Sequence, residues 1–215
     1  MSNLQLESID KENNLKNTNK SSIMKKPLFI VVEGVDRAGK NTIIKSIKEV
    51  FYNEKIEQID FPQRSTEIGK IIDKHLKKEL PLNSQTIHLL YSANRWEFCE
   101  RIANRKNHII SSRYFYSGIA YTLAKEDIED EEWCYFPDRG LPKPDIIFLI
   151  KSDINVTCKR PGFGEEVYDE EKFQKKCMDN FLQITKNEKN LIILDGNLSV
   201  AKTSEIVKGA IEKYM

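Results

Sequence analysis

From residue 28 onward, short apolar runs alternate with longer stretches whose apolar positions recur every three or four residues. Residues 28–32 are apolar or β-branched and are followed by turn chemistry, which predicts a fully buried strand. Ile43, Ile44, Ile47, Val50 and Phe51 then keep helical spacing. Residues 56–61 predict a short strand closed by Pro62, and Ile68, Ile71, Ile72, His75 and Leu76 mark a helix over 66–76. Pro81 breaks the pattern, and Asn83-Ser84 starts a long aromatic helix predicted to reach about residue 103. Further strands are predicted at 108–111, 145–150 and 191–194. Helices are predicted at 117–124, 153–159, 169–186 and 199–213, with 126–132 as an exposed acidic face.

Strands alternating with helices imply a parallel sheet covered on both faces, an α/β/α sandwich. Ligands of such sheets sit beyond the C-terminal ends of the strands. That rule collects Asp36, Phe61, Arg64, Arg113, Lys151 and Asp195 on one rim. Residues 27–215 form one domain. Residues 160–167, polar and glycine-bearing, are expected to be a short mobile lid. Residues 1–26 are rich in Asn, Lys, Ser and Glu and almost lack large apolar side chains, so they are expected to be a disordered extension.

Composition narrows the field. The 215 residues carry 34 Lys+Arg against 33 Asp+Glu, a formal net charge of +1. This argues against nucleic-acid binding through a basic surface. No apolar run approaches membrane-spanning length. Cys99, Cys134, Cys158 and Cys177 form no C-x-x-C pair, and His75, His88 and His108 are scattered, so reduced thiols are expected and a zinc site is not. The extension has no apolar signal core, and its acidic residues fit a transit peptide poorly, which points to the cytoplasm, with the nucleus left open.

The chemistry is concentrated in the turn Gly34-Val35-Asp36-Arg37-Ala38-Gly39-Lys40, set between the first strand and the first helix. Strand, glycine-rich loop, lysine and helix form the phosphate-cradling P-loop, whose backbone N–H groups and lysine face an anion. A P-loop admits a signalling GTPase or a small-molecule kinase. The N-K-x-D guanine reader of a GTPase is absent. Arg37, Arg64, Arg113 and Arg160 suit transfer of a phosphoryl group between two phosphorylated molecules, where charge must be offset more than bonds activated. An acceptor phosphate, with a second pKa of about 6, is largely ionised already and needs no general base.

The segments FIVVEGVDRAGK, DFPQRSTEIGKIID, IHLLYSANRWEF, SRYFYSGIAYTLAK and GLPKPDIIFL, in that order, resemble the thymidylate kinase family of eukaryotic and poxviral type. The similarity spans about residues 27–215. It implies a nucleoside monophosphate kinase fold (a P-loop NTPase with a five-stranded parallel sheet), phosphorylation of dTMP to dTDP with ATP and Mg²⁺, and a homodimer. By the same resemblance, Gly34, Val35, Asp36, Arg37, Ala38, Gly39, Lys40, Asn41 and Thr42 hold the ATP phosphates, and Arg160 and Asp195 border adenine. Arg37, Lys40 and Arg113 are the implied catalytic cations. Asp36 meets the sugar 3′-hydroxyl, Arg64 and Arg113 the dTMP phosphate, and Tyr91 stacks on thymine. Arg95 reads a thymine carbonyl, Phe61, Ser117, Gly118 and Tyr168 line the pocket, and Tyr121 crowds the sugar 2′ position.

Two departures fall on the metal side. The family places Ser or Thr where Asn41 stands, and Asp where Ser112 stands. Asn41 is then the one candidate metal ligand, and no carboxylate ligand is evident. An alternative reading follows: a catalytically impaired relative that binds nucleotide as a regulatory or binding subunit.

Overall fold

The computed structural model describes residues 26–128, 130–158 and 167–215. Residues 1–25 of the expected extension, residue 129, and residues 159–166, which take in the expected 160–167 lid up to residue 166 and include Arg160, lie outside the described residues. Five strands form one all-parallel sheet: β1 (Phe29–Glu33), β2 (Ile56–Gln58), β3 (His108–Ser112), β4 (Ile146–Lys151) and β5 (Leu191–Asp195), ordered β2-β3-β1-β4-β5. Nine α-helices among the described residues connect or extend them: α1 (Lys40–Val50), α2 (Glu67–Leu76), α3 (Ser84–Trp96), α4 (Cys99–Ala103), α5 (Phe115–Leu123), α6 (Glu131–Tyr135), α7 (Ile154–Thr157), α8 (Glu171–Thr185) and α9 (Val200–Glu212).

All five residues of β1 are buried, because the strand is central and its alternate side chains serve opposite faces. Ile30 and Val32 pack with Ile43, Ile44 and Ile47 of α1, with Phe51 at its C-terminal end, and with Val207 and Ile211 of α9. Phe29 and Val31 pack with Ile102, Ile109, Tyr114 and Phe61 on the other face. Burying each such side chain stabilises the fold by roughly 1.5–3 kcal/mol before the entropy of ordering it is counted. The chain leaves β1 toward β2 and leaves β3 toward β4, in opposite directions from adjacent strands. That is a topological switch point, the place where an open α/β sheet forms its ligand crevice.

The chain departs from the sequence expectation at two helices. The long helix predicted to reach residue 103 breaks after Trp96: Phe98 N–H donates to Arg95 O at 3.1 Å, tightening the last turn, and α4 starts afresh at Cys99. The break turns the Phe98 ring edge-on to Phe61, with centroids 5.8 Å apart, a packing demand that helical periodicity cannot report. The acidic stretch at 126–132 is exposed over most of its length, but its end opens α6. Asp130 accepts the Trp133 N–H at 3.1 Å, and Cys134 is buried behind it. Residues 56–61 do behave as one extended unit. Ile59 and Phe61 donate to Ile110 O and Ser112 O at 2.9 and 3.0 Å, so pairing continues past Gln58 to the rim.

Candidate active site

At the end of β1 the chain turns through left-handed backbone at three positions: Gly34 (φ 143°), Arg37 (φ 58°) and Gly39 (φ 102°). Gly34 also needs its missing side chain, since a Cβ there would lie 3.1 Å from Ile150 O. Arg37 has no such licence and holds strained backbone of a kind that concentrates at functional sites. Val35 and Ala38 are buried and anchor the loop, while Asn41 and Thr42 are exposed in the first turn of α1. Lys40 Nζ curls back over the loop and donates to Gly34 O at 3.1 Å and Val35 O at 2.7 Å. Burial, and after it the nearby Arg113, pushes its ammonium down to about 7. Arg37 Nη1 donates to Asp169 Oδ1 at 2.9 Å. Asp195 ends β5 on the far side of β4, where the following Gly196 packs on Ser152, whose hydroxyl reaches Ala38 O at 3.4 Å.

Arg113 follows β3 and also lies in the left-handed region, with φ 66°. Its Nη1 donates to Gly34 O (3.1 Å) and Ser117 Oγ (3.2 Å), and its Nη2 pairs closely with Asp36. Asp36 also accepts Tyr121 Oη at 2.8 Å and Gln174 Nε2 at 3.0 Å. Burial would raise its pKa, but Arg113, Lys40 and these two donors outweigh burial and hold the carboxyl at about 2. The whole cluster rests on Glu33, the last residue of β1. Its buried carboxylate accepts Tyr114 N (2.8 Å), Ser117 N (3.2 Å) and Ser117 Oγ (2.5 Å). Burial is the main influence on Glu33 and raises its pKa, against the pull of Ser117 and Arg113.

Beyond Arg113 lies a cavity of about 240 Å³. Asp36, Phe61, Arg64, Tyr91, Arg95, Arg113, Ser117, Gly118, Tyr121 and Tyr168 all line it, so the structure brings together in one space the residues assigned to the acceptor. Arg64 leaves the β2–α2 loop and pairs with Asp73 at 2.6 Å. That loop is held by Asn94, which accepts Gln63 N at 2.7 Å and donates to Thr66 Oγ1 at 3.0 Å. Gly69 allows the close packing, for a Cβ there would overlap Gln63 O at 1.9 Å.

Several members of the site have roles that the sequence did not give. Glu33, which the sequence offered only as a residue that could approach the metal through water, instead supports Tyr114 and Ser117. Gln174 gave no signal: one polar residue inside α8, it holds Asp36 from both sides, accepting Asp36 N–H through Oε1 (3.0 Å) and donating to Asp36 Oδ2 through Nε2 (3.0 Å). Asp60 also lines the cavity, and its Oδ1 accepts Ser112 N–H at 3.1 Å. A carboxylate thus stands beside the position where the family pattern has Asp, supplied by the neighbouring strand.

Among the described residues no group of three or more His, Cys, Asp or Glu could cage an ion. Mg²⁺ needs no cage, since it keeps several waters and is held by one or two protein oxygens plus substrate phosphates. Asn41 presents an exposed side-chain oxygen where the P-loop enters α1, and Asp60 carries a carboxylate at the rim.

A parallel sheet, a P-loop at its switch point and a separate cavity beyond a partly buried arginine define a P-loop phosphotransferase. Residues 32–207 match the family model for thymidylate kinase. The thymidylate kinase of Schizosaccharomyces pombe is 44% identical over 163 residues, covering 74% of this chain and 77% of the relative. That of Homo sapiens is 37% identical over 186 residues, covering 84% and 87%. The solved thymidylate kinase of Candida albicans superposes with a TM-score of 0.80 at 36% identity, over 87% of this chain and 92% of that one. The chain belongs to the thymidylate kinase family.

Proposed function

We propose that this protein transfers the γ-phosphoryl group of ATP to the phosphate of dTMP, giving dTDP for DNA precursor synthesis, with Mg²⁺ as the metal. The observation that carries the reading is the continuity between P-loop and cavity. Asp36 and Arg113, packed against Gly34 of the P-loop, line the same space as Tyr91, Arg95 and Gly118.

In this reading the P-loop amides and Lys40 hold the ATP phosphates, and Arg37 offsets charge on the group in flight. Arg64 and Arg113 hold the acceptor phosphate. Asp36, ionised because Arg113 and Lys40 hold its carboxyl at about 2, accepts the sugar 3′-hydroxyl. Tyr91 stacks on the base, a contact of about 1–3 kcal/mol by analogy with other base–aromatic stacks. Asn41 and Asp60 are the residues that would help hold Mg²⁺, which would supply positive charge to offset the charge of the phosphates. Because the acceptor phosphate is already an anion, no residue has to remove a proton. Leu89 and Trp96 of α3 are half-exposed, which supports this helix as the homodimer face. Among the described residues no helix is long and apolar enough to cross a membrane. The composition of residues 1–26, which lack an apolar signal core and carry acidic residues, supports a reaction in the cytoplasm or nucleus.

Incubation with γ-labelled ATP, Mg²⁺ and dTMP tests the reading: label is expected in dTDP. Label appearing only as free phosphate would make the protein a nucleoside triphosphatase instead.

A further inference from the structure

Arg95 lines the acceptor cavity and yet is only 2% exposed. Two of its nitrogens are already committed: Nε donates to Asp138 Oδ1 at 3.0 Å and Nη2 to Asp138 Oδ2 at 2.7 Å, a two-pronged pair with both partners buried. Such a pair fixes the plane of the guanidinium as well as its position. Gly118 closes the other side, where a Cβ would come within 2.7 Å of Nη2 and 3.0 Å of Nη1. Among the described residues Nη1 has no acceptor.

Asp138 is itself held. Ser92 Oγ lies 2.8 Å from Oδ1, and the preceding Pro137 O accepts Ser92 Oγ at 3.0 Å and Trp96 Nε1 at 2.8 Å. Ser92, Arg95 and Trp96 lie on one face of α3, so a single helix face pins the short 3₁₀ turn Phe136–Asp138. His88, one turn earlier, is bonded to Thr122 Oγ1 (2.7 Å) and Cys134 O (3.1 Å). Burial, then Arg95, lowers it to about 4, so it stays uncharged at neutral pH and leaves Arg95 as the charge that Asp138 serves.

We propose that Asp138 is a positioning residue that locks Arg95 into a fixed donor facing the acceptor base, making the site select pyrimidines with a carbonyl on that edge over those with an amino group. The inference rests on the reading of Arg95 as the base-contacting residue. A guanidinium can only donate. Held rigidly, it satisfies a carbonyl oxygen without further ordering. Against an amino group it leaves two donors facing each other in a buried space, neither with an acceptor. Freed from Asp138, the side chain could swing away from an amino group, and the discrimination would fade.

The test compares wild type, Asp138→Asn and Ser92→Ala by calorimetric binding of dTMP, dCMP and ATP, with steady-state kinetics for dTMP. Asp138→Asn is expected to weaken dTMP binding by roughly tenfold or more, the scale of a lost charge-assisted hydrogen bond. ATP affinity stays close to wild type, KM for dTMP rises, kcat changes little, and the preference for dTMP over dCMP contracts. Ser92→Ala, a smaller change on the same carboxylate, is expected to move dTMP binding and base preference the same way by a few-fold. A folded Asp138→Asn protein with wild-type dTMP affinity and preference would overturn the proposal. So would equal weakening of all three ligands, the signature of a merely structural role. If Asp138→Asn does not fold, Ser92→Ala decides, and an unchanged base preference there overturns the proposal. Wild-type protein unable to bind dTMP would overturn the substrate reading itself, a different failure.

Discussion

Arg37 Nη1 lies 2.9 Å from Asp169 Oδ1, which ties the P-loop to the segment that carries Tyr168 into the acceptor cavity. The Asp169 side chain is almost fully buried, so this is an ordered pair between the two halves of the site. A cation held in strained backbone at that junction suits a group that acts on charge developing between two substrates.

Arg37→Ala is therefore expected to lower kcat by roughly 10³–10⁵, the range for arginines that stabilise phosphoryl transfer, with only modest loss of ATP affinity. Single-turnover kinetics with calorimetric ATP binding would measure both. Wild-type turnover in the variant would remove Arg37 from the chemistry.

Tyr121 donates to Asp36 at 2.8 Å and packs edge-on to Tyr168. Tyr121→Ala should narrow the ratio of kcat/KM for dTMP over UMP, because space for a ribose 2′-hydroxyl opens beside Asp36. An unaltered ratio would count against a sugar-facing role.

Asp36 makes a prediction about acid stability. Its carboxyl lies at about 2 in the fold against an ordinary 3.8. Because the folded value is the lower one, the stabilisation, roughly 2 kcal/mol, is fully present above about pH 5 and is lost as pH falls through the folded value. Urea unfolding of wild type and Asp36→Asn between pH 6 and pH 3 should show the gap between them shrinking by roughly half of that amount at the acid end. A gap independent of pH would mean that Asp36 is not held ionised by Arg113.

The fold was largely legible because its signals are local. The buried strand at 28–32, the glycines of the P-loop and the helix start at Asn83 each act within a few residues, and in the structure Thr66, Asn83, Asp153 and Ser199 all cap their helices by accepting a backbone N–H. What stayed hidden depends on contacts distant in sequence. The Phe98 break follows from Phe61, Gln174 reaches Asp36 across 138 residues, and Asp138 serves Arg95 across 43. Asp60 is the instructive case. On its strand it reads as an ordinary rim carboxylate, and only the β2–β3 register sets it against Ser112.

That placement bears on the metal. Restoring the family pattern with Asn41→Ser and Ser112→Asp together should lower the Mg²⁺ concentration needed for half-maximal activity by a few-fold, since Mg²⁺ gains a hydroxyl and a carboxylate near its phosphates. Magnesium titrations of wild type and the double variant would measure it. No change would show that Asn41 and Asp60 already complete the shell.

Turnover of dTMP is measured most directly by an ADP-release assay on the full chain with ATP and Mg²⁺, comparing dTMP, dUMP, UMP and AMP, with dTMP binding measured by calorimetry alongside. Tight binding of dTMP and turnover selective for it are expected. Tight dTMP binding without turnover would contradict the enzyme and leave a nucleotide-binding relative disabled at Asn41 and Ser112, and failure to bind dTMP would contradict the assignment of the cavity.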